Sequence, residues 1–168
     1  MTLRAATPAD LDAIMTIERA SFVRDAWSEQ MMAAELASPH NHYVVAEQAG
    51  RVIGYAGLRA PSGSHDGDIQ TIALSADARG RGAGRELLTT LLEQASLRGV
   101  RDVFLDVRVD NTVAQSLYRS VGFREIGIRP NYYAAEGVDA LVMQLDVPAW
   151  SDAHRGQATH GADARGAC

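Results

Sequence analysis

Three glycines and three arginines lie within seven residues, in the segment Arg79-Gly80-Arg81-Gly82-Ala83-Gly84-Arg85. An apolar run typical of a strand precedes this glycine segment, and a run with helical periodicity follows it. Glycine lets a backbone come close to a ligand, and the first turn of a helix presents N–H groups at the positive end of its dipole. The glycine segment therefore predicts a site for a phosphate or pyrophosphate group, to which the arginines add positive charge.

Two better-known phosphate-binding motifs do not fit the glycine segment. It contains no Gly-Lys-Ser/Thr sequence, so it is not a P-loop. Its glycines follow the spacing G-x-G-x-G with Arg85 next, so the dinucleotide-binding pattern G-x-G-x-x-G fails at its third glycine. A tight turn with solvated arginines would have the same composition. Glycine content alone therefore leaves an anion site and a structural turn as alternatives.

Cysteine and histidine offer little further chemistry. The single cysteine, Cys168, is the last residue, which excludes an internal disulfide and a cysteine-based zinc site and fits a reducing cytoplasm. His40 and His42 have no metal-ligand partners at useful spacing, so we interpret them as structural or solvent-facing and predict no metal. No Ser–His pair stands out, and no covalent enzyme intermediate is expected.

The elements that must position the glycine segment alternate between strands and helices. The predicted helix starts are Thr7-Pro8-Ala9-Asp10 and Ser28-Glu29, and Asn111 is expected to cap a later helix. The turn Gln48-Ala49-Gly50-Arg51 is typical of a hairpin. Predicted strands cover residues 3–5, 42–47, 52–60, 68–74, 103–109, about 124–129 and 139–146, with the loop Asn131-Tyr132-Tyr133 between the last two. This order predicts an α/β protein with a mixed sheet.

Composition limits the protein to an ordinary globular class. The chain has 168 residues, of which 46% are hydrophobic and 22% charged, so we expect one folded domain. Its sixteen basic residues are all arginines, and the net charge is −5. A net-acidic chain without a long basic run argues against a nucleic-acid partner. No stretch approaches the length of apolar sequence that spans a membrane, and no signal peptide precedes the fold, so a cytoplasmic location without membrane contact is expected.

The C-terminal end differs in composition from the rest. From Ser151 onward the eighteen residues include none of the large apolar types, but five alanines and three glycines. Such a segment cannot bury a core. We therefore predict a domain over residues 1–147 and a disordered tail over residues 148–168.

Several segments resemble the GNAT acetyltransferase superfamily. Residues 79–84 match its Q/R-x-x-G-x-G/A signature, and the block from Asn111 to Phe123 resembles its later helix. The segments that resemble the ribosomal-protein-alanine N-acetyltransferase (RimI-like) branch are Asp106-Val107-Arg108, Ala26-Trp27-Ser28-Glu29 and Arg129-Pro130-Asn131-Tyr132-Tyr133. The resemblance covers roughly residues 3–146. It implies a GNAT fold, with a mixed six- to seven-stranded sheet flanked by about four helices.

The resemblance also implies acetyl-coenzyme A as cosubstrate. In this family the glycine loop holds the pyrophosphate, and the strand before it holds the acetyl and pantetheine portion. The residues that the resemblance assigns to acetyl-coenzyme A are Ile72, Ala73, Leu74, Arg79, Gly80, Arg81, Gly82, Ala83, Gly84, Arg85 and Asn111.

Two catalytic roles follow from the same resemblance. Tyr118 matches the tyrosine that protonates the departing thiolate, although an amphipathic core tyrosine would look the same. Asp106 matches the general base, where the branch usually carries Glu, and is shorter by about 1.5 Å of reach. A base acting through a bound water could absorb that difference. Asp68, on the strand before the glycine segment, is the second candidate base. A solvated carboxylate at a strand end is the structural alternative for either.

The resemblance implies a protein N-terminus as the acceptor, and among proteins the N-terminal alanine of a ribosomal small-subunit protein. Candidate acceptor-binding residues are Trp27, Asp68, Tyr132 and Tyr133, of which the aromatic ones could equally be packing residues. An acetyltransferase of small amines or Lys side chains is a second hypothesis, since His65-Asp66-Gly67-Asp68 could line an acidic pocket. A coenzyme-A-binding module without catalysis is a third, suggested by Asp in place of Glu.

Overall fold

A seven-stranded sheet forms the centre of the molecule. The computed structural model describes residues 1–163. The elements are β1 (Thr2–Ala5), α1 (Leu11–Ser21), α2 (Glu29–Ala37), β2 (Asn41–Gln48), β3 (Arg51–Arg59), β4 (Asp66–Leu74), α3 (Ala83–Leu97), β5 (Asp102–Arg108), α4 (Thr112–Val121), β6 (Arg124–Tyr133), β7 (Val138–Asp146) and α5 (Val147–Asp163). Strand order in the sheet is β1-β2-β3-β4-β5-β7-β6. The predicted mixed α/β architecture is confirmed, with α5 as an additional helix.

The sheet opens between β4 and β5. These two strands are parallel, and all other neighbouring pairs are antiparallel. Their pairing covers only residues 66–68 of β4 and 102–104 of β5, although both strands continue further. Gln70 is an extra residue on β4 at the irregularity of its pairing with β3. Beyond that point the two strands diverge and leave a wedge in the sheet.

Helices cover both faces of the sheet, because residues of the central strands alternate between two hydrophobic clusters. Val44 packs into one cluster and its neighbour Val45 into the other. The larger cluster includes α3 and the apolar face of α4, and the smaller one includes α1 and Met32 of α2. The chain therefore buries two cores, one on each face.

Local signals at the turns and caps are confirmed. The Ser28 hydroxyl accepts a hydrogen bond from the Met31 N–H at 3.1 Å, and Asn111 Oδ1 caps α4 by accepting from the Ala114 N–H at 3.1 Å. Ala49 and Gly50 have φ of 52° and 74°, the left-handed conformation that a two-residue hairpin turn requires. The start at Pro8 differs slightly, since residues 8–10 form a short 3-10 turn before α1.

The described part of the predicted tail, residues 148–163, is helical in the structure. Val147–Asp163 forms helix α5, which begins where Asp146 Oδ1 accepts a hydrogen bond from the Ala149 N–H at 2.9 Å. Trp150 packs against the larger core, and His154 stacks on it with ring centroids 4.9 Å apart. The packing of Trp150 and the hydrogen bond from Asp146 thus hold α5 in place, although the helix has no apolar stripe. Cys168 lies outside the described residues.

The segment Asn131-Tyr132-Tyr133 is also not the loop that the sequence predicts. It belongs to the end of β6, and the turn to β7 lies at residues 134–137. Asn131 has a φ of 53°, and its N–H donates to Asp139 Oδ1 at 2.7 Å across the irregular part of the hairpin. Pairing resumes at Tyr133 and Val138. The two tyrosines are therefore held on a strand, which restricts their positions more than a loop would.

Candidate active site

Two adjoining cavities occupy the wedge between β4 and β5. The larger has a volume of about 780 Å³ and the smaller about 410 Å³. Asp106 of β5 and Tyr133 of β6 line both, as do residues 69–71 around the β4 irregularity. The two cavities therefore meet at Asp106, so ligands in each could contact one another there.

The glycine segment lies at the N-terminus of α3 and has the conformation of an anion-binding loop. Gly80 and Gly82 have φ of 75° and 85°, and a Cβ placed on either would meet nothing within 4 Å. The hydrogen-bond ladder of α3 begins with the Glu86 N–H, which donates to the carbonyl of the N-cap residue Gly82 at 3.1 Å. The N–H groups of residues 83–85 therefore lie before the helical ladder and can bind phosphate oxygens.

The three arginines of the glycine segment differ in their surroundings. Arg79 and Arg81 are exposed beside the open glycines. Arg85 donates from NH2 to Ser120 Oγ at 2.6 Å, which ties α3 to α4. Ala83 is 2% exposed, so only its backbone can contact a ligand.

The strand and helix next to the glycine segment line the smaller cavity. Ile72 on β4 and Asn111 and Ala114 at the start of α4 are among its walls. Ala73 and Leu74 pack into the cores instead, so they can contribute only through their backbone. Because Asn111 Oδ1 caps α4, its Nδ2 is the group that could contact a cofactor.

Tyr118 extends from α4 into the smaller cavity. Its ring packs edge to face against Phe123, with centroids 5.8 Å apart, and against the larger core. Burial raises the pKa of the phenol to about 12, with the neighbouring Tyr133 adding to the shift. The hydroxyl is therefore protonated at neutral pH and can donate a hydrogen bond or a proton.

Asp68 and Asp106 are two of the four acidic residues that line the larger cavity, together with Glu18 and Asp25. Asp106 Oδ1 accepts a hydrogen bond from Arg129 Nε at 3.0 Å. Asp68 lines the same cavity, and partial burial followed by the charge of Asp106 raises its pKa. Within the described chain, no hydrogen-bond donor contacts Asp68 or the second oxygen, Oδ2, of Asp106. Both groups could therefore accept a proton from a ligand.

Aromatic side chains form the walls of the larger cavity. Trp27 contributes one wall, and Tyr132 and Tyr133 contribute another, with their rings edge to face at 5.2 Å. The backbone N–H of Trp27 donates a hydrogen bond to Oε1 of Glu18 at 3.1 Å. Glu18 is only 3% exposed, and its Oε2 accepts from the Tyr55 hydroxyl. This buried carboxylate thus fixes the segment that carries Trp27.

The roles of Glu18, Arg108 and Arg129 were not predicted from the sequence. Glu18 lies on the buried face of α1 beside Ile14 and Ile17, and an acid among apolar positions was the available signal. Arg108 and Arg129 lie inside segments that carry the resemblance, but Arg108 pairs with Glu136 and Arg129 with Asp106, each on a distant part of the chain. Long-range pairing of this kind has no local sequence pattern.

The wedge, the glycine loop and the protonated tyrosine together define an acyl-coenzyme A transferase fold. The acetyltransferase (GNAT) family matches residues 11–123, more than half of the chain, and the chain belongs to this family. N-alpha-acetyltransferase RimI of Mycobacterium tuberculosis is 43% identical over 151 residues, which cover 87% of this chain and 92% of that protein.

Solved structures agree with this assignment. The ribosomal-protein-S18-alanine N-acetyltransferase of Escherichia coli superposes with a TM-score of 0.78 at 31% identity, covering 87% of this chain and 93% of that one. The Salmonella typhimurium protein yncA, solved with its cofactor acetyl-CoA, gives a TM-score of 0.74 at 22% identity, covering 88% and 94%. The predicted GNAT fold is confirmed.

The family defines the general chemistry. This protein is an N-acetyltransferase, and acetyl-coenzyme A is its cosubstrate. The open glycines, the N-terminus of α3 and the smaller cavity fit that molecule. In residues 1–163, no group of three or more His, Cys, Asp or Glu side chains is arranged to hold a metal ion. None of the helices in that range is both long and apolar enough to cross a membrane.

Proposed function

We propose that this enzyme acetylates the α-amino group of a protein, and that its acceptor is the N-terminal alanine of a ribosomal small-subunit protein. The relatives support this acceptor class, since the E. coli structure is a ribosomal-protein-S18-alanine N-acetyltransferase and the M. tuberculosis relative an N-alpha-acetyltransferase. Ribosomal proteins and acetyl-coenzyme A occur together in the cytoplasm, where the enzyme would act. The observation that carries the proposal is the junction of the two cavities at Asp106.

Cosubstrate binding is assigned to the glycine segment and the smaller cavity. The backbone N–H groups of residues 83–85 would hold the pyrophosphate, and Arg79 and Arg81 would add positive charge beside it. Acetyl-coenzyme A supplies an activated acetyl group as a thioester. The β4 edge that faces the wedge, over residues 72–74, has no partner strand on that side, so its N–H groups could stabilise negative charge on the thioester oxygen.

Tyr118 is the proposed acid. Its phenol lies in the smaller cavity, to which this proposal assigns the thioester end of acetyl-coenzyme A. The raised pKa keeps the proton on the hydroxyl until the thiolate departs. A hydrogen bond from this hydroxyl would then stabilise the departing thiolate and deliver the proton to it.

Asp106 is the proposed base. It lies where the two cavities meet, so its carboxylate borders both the acceptor amine and the acetyl group. Arg129 holds Oδ1, which orients Oδ2 as the oxygen that accepts the proton. Because Asp is shorter than Glu, a bound water could complete the path from the amine to Oδ2. Asp68 is the alternative base on the opposite strand.

The modest demand on this base favours an N-terminal amine over a Lys side chain. An α-amino group has a pKa of about 7.7–8.0, whereas a Lys amine has one of about 10.4. At neutral pH about a tenth of α-amino groups are already uncharged, against well under a thousandth of Lys amines. The Asp106 carboxylate, which also binds Arg129, therefore suffices for an α-amino group but is poorly matched to a Lys amine.

A panel of acceptors tests the proposal. Purified protein and acetyl-coenzyme A are mixed with peptides beginning in Ala, with the same peptides blocked at the N-terminus but containing Lys, and with small amines. Release of free thiol only with the unblocked peptides is expected. Turnover only with small amines would support the second hypothesis, which the acidic residues Asp25, Asp68 and Asp106 of the larger cavity favour. Cosubstrate binding without any turnover would support the inactive module and overturn the proposal.

A further inference from the structure

Arg108, the last residue of β5, links three chain connections around the smaller cavity. Its Nε and NH2 donate to the two carboxylate oxygens of Asp110 at 3.0 and 3.1 Å. NH2 also donates to Glu136 Oε2 at 2.8 Å, in the turn between β6 and β7. NH1 lies 4.0 Å from Asp25 Oδ2, in the segment between α1 and α2. We call this arrangement the Arg108 clasp.

The Arg108 clasp is saturated with carboxylates. Three acidic side chains surround one guanidinium, whose side chain is only 24% exposed. Hydrogen bonding to this guanidinium lowers the pKa of the Asp110 and Glu136 carboxyls, so both are ionised at neutral pH. Arg108 is therefore not available to bind the phosphates of a cosubstrate, and its contacts serve the protein itself.

The clasp also fixes an aromatic wall. Arg108 Cζ lies 5.1 Å from the centroid of the Tyr133 ring, within cation–π range. Tyr133 lines both cavities and packs edge to face on Tyr132 of the larger one. The segment at Asp25 carries Trp27 on the opposite wall. One guanidinium therefore contacts elements from both walls.

Arg108 itself is held rigidly. Gln115 is 7% exposed, and its Nε2 donates to the carbonyls of Arg108 and Val109 at 2.9 and 3.0 Å. The backbone from which the clasp extends is thereby tied to α4, the helix that carries Tyr118. Gln115 thus fixes the position of the Arg108 clasp relative to α4, the helix that carries the proposed acid Tyr118.

We propose that Arg108 is a positioning residue for the acceptor: it holds Tyr133 and the segment at Asp25 so that the larger cavity matches an extended peptide N-terminus. This inference rests on the proposed function, since it concerns the acceptor side of the same site. Arg108 touches no reacting atom in this scheme. Because Arg108 also lines the smaller cavity, its loss should affect both sites, but it should weaken acceptor binding more than cosubstrate binding.

The test compares Arg108→Met and Arg108→Lys with the wild-type enzyme. Arg108→Met retains a long stem without charge, and we expect KM for an Ala-initiated peptide to rise about tenfold, with kcat changed by less than about threefold. Arg108→Lys keeps the charge but loses the planar fork, so an intermediate KM is expected. The Kd of coenzyme A, measured by calorimetry, should rise by less than about threefold in both, which is less than the change in peptide KM.

Arg119→Met is the matched control, because Arg119 forms an exposed pair with Glu125 at 3.8 Å and lines neither cavity. It should leave KM, kcat and Kd as in the wild type. An unchanged peptide KM in Arg108→Met would overturn the inference, as would an equal loss of coenzyme A affinity. A wild-type enzyme that does not acetylate the peptide would instead contradict the proposed function, and peptide binding to the enzyme–coenzyme A complex would then still report on Arg108.

Discussion

At the scale of single residues, Asp106 and Asp68 can be separated by experiment. Asp106→Asn removes the charge but keeps the shape, and should lower kcat by about 10²–10⁴ if Asp106 is the base. Steady-state rates of thiol release with an Ala-initiated peptide measure this. Asp68→Asn is the matched control and should reduce kcat by less than about tenfold. The opposite ranking of the two variants would transfer the role to Asp68, and unchanged rates in both would indicate that water accepts the proton.

Tyr118 supplies a second prediction at this scale. Tyr118→Phe removes only the hydroxyl, so kcat should fall by about 10²-fold while the Kd of coenzyme A changes little, because the ring keeps its contact with Phe123. The wild-type pH profile should show no alkaline decline up to about pH 10, since a phenol with a pKa of about 12 is still protonated there. Tyr132→Phe is the control and should change neither kcat nor that profile. A loss of coenzyme A affinity larger than the loss of kcat in Tyr118→Phe would contradict an acid role.

The sequence predicts Asp106 and Tyr118 as candidate catalytic residues because their neighbours form a continuous motif. Asp106, Asn111 and Tyr118 lie within thirteen residues: Asp106 is near the end of β5, Asn111 caps α4, and Tyr118 lies about two turns further along that helix. The salt bridge from Arg129 to Asp106 joins positions 23 residues apart in sequence. Such a contact depends on the register between β5, β7 and β6, which no local pattern specifies.

At the scale of elements, the opening between β4 and β5 creates the two cavities of the candidate active site. The sequence predicts both strands, but not that their pairing ends after residue 68, next to the irregularity at Gln70. That side chain accepts a hydrogen bond from the Tyr43 hydroxyl at 3.0 Å, and the Tyr43 ring occupies space that a Cβ on Gly57 would need. Packing beneath the sheet thus shapes the opening, and packing is not readable from residue order.

Helix α5 provides the prediction at this scale. Trp150→Ala removes the aromatic group that packs α5 on the larger core and should lower the free energy of unfolding by roughly 2 kcal/mol, less than for a fully buried Trp. Denaturant unfolding measures the loss, and hydrogen exchange should show faster exchange over Val147–Asp163. Asp152→Ala, at an exposed position of the same helix, should leave both unchanged. Identical stability in Trp150→Ala and wild type would mean that α5 does not dock in solution.

At the scale of the whole molecule, arginine–carboxylate contacts join elements that are distant in sequence. Arg108 joins three of the segments that link secondary-structure elements around the site, and Arg4 joins the edge of the sheet to the start of α1. Arg4 donates to both oxygens of Asp10 and to Glu47 on β2, all at 2.8 Å. With no lysine in the chain, all such contacts use the planar guanidinium, which suits bidentate pairing.

The Asp10 contact makes the stability of the whole fold depend on pH in a defined range. Asp10 is 6% exposed, and the hydrogen bonds from Arg4 lower its pKa to about 2, against about 3.9 in an unfolded chain. The carboxylate therefore stabilises the fold fully above about pH 4, and this contribution is lost as the pH falls through about 2.

Asp10→Asn should lower the free energy of unfolding at neutral pH by about 2 kcal/mol. The variant should also show a smaller loss of stability between about pH 4 and pH 2, as measured by urea unfolding across a pH series. Arg51 lowers the pKa of Asp77 as well, but that pair is exposed and screened by solvent, so Asp77→Asn should change the wild-type decline much less than Asp10→Asn. A wild-type acid profile in Asp10→Asn would show that other carboxylates control acid unfolding of this protein.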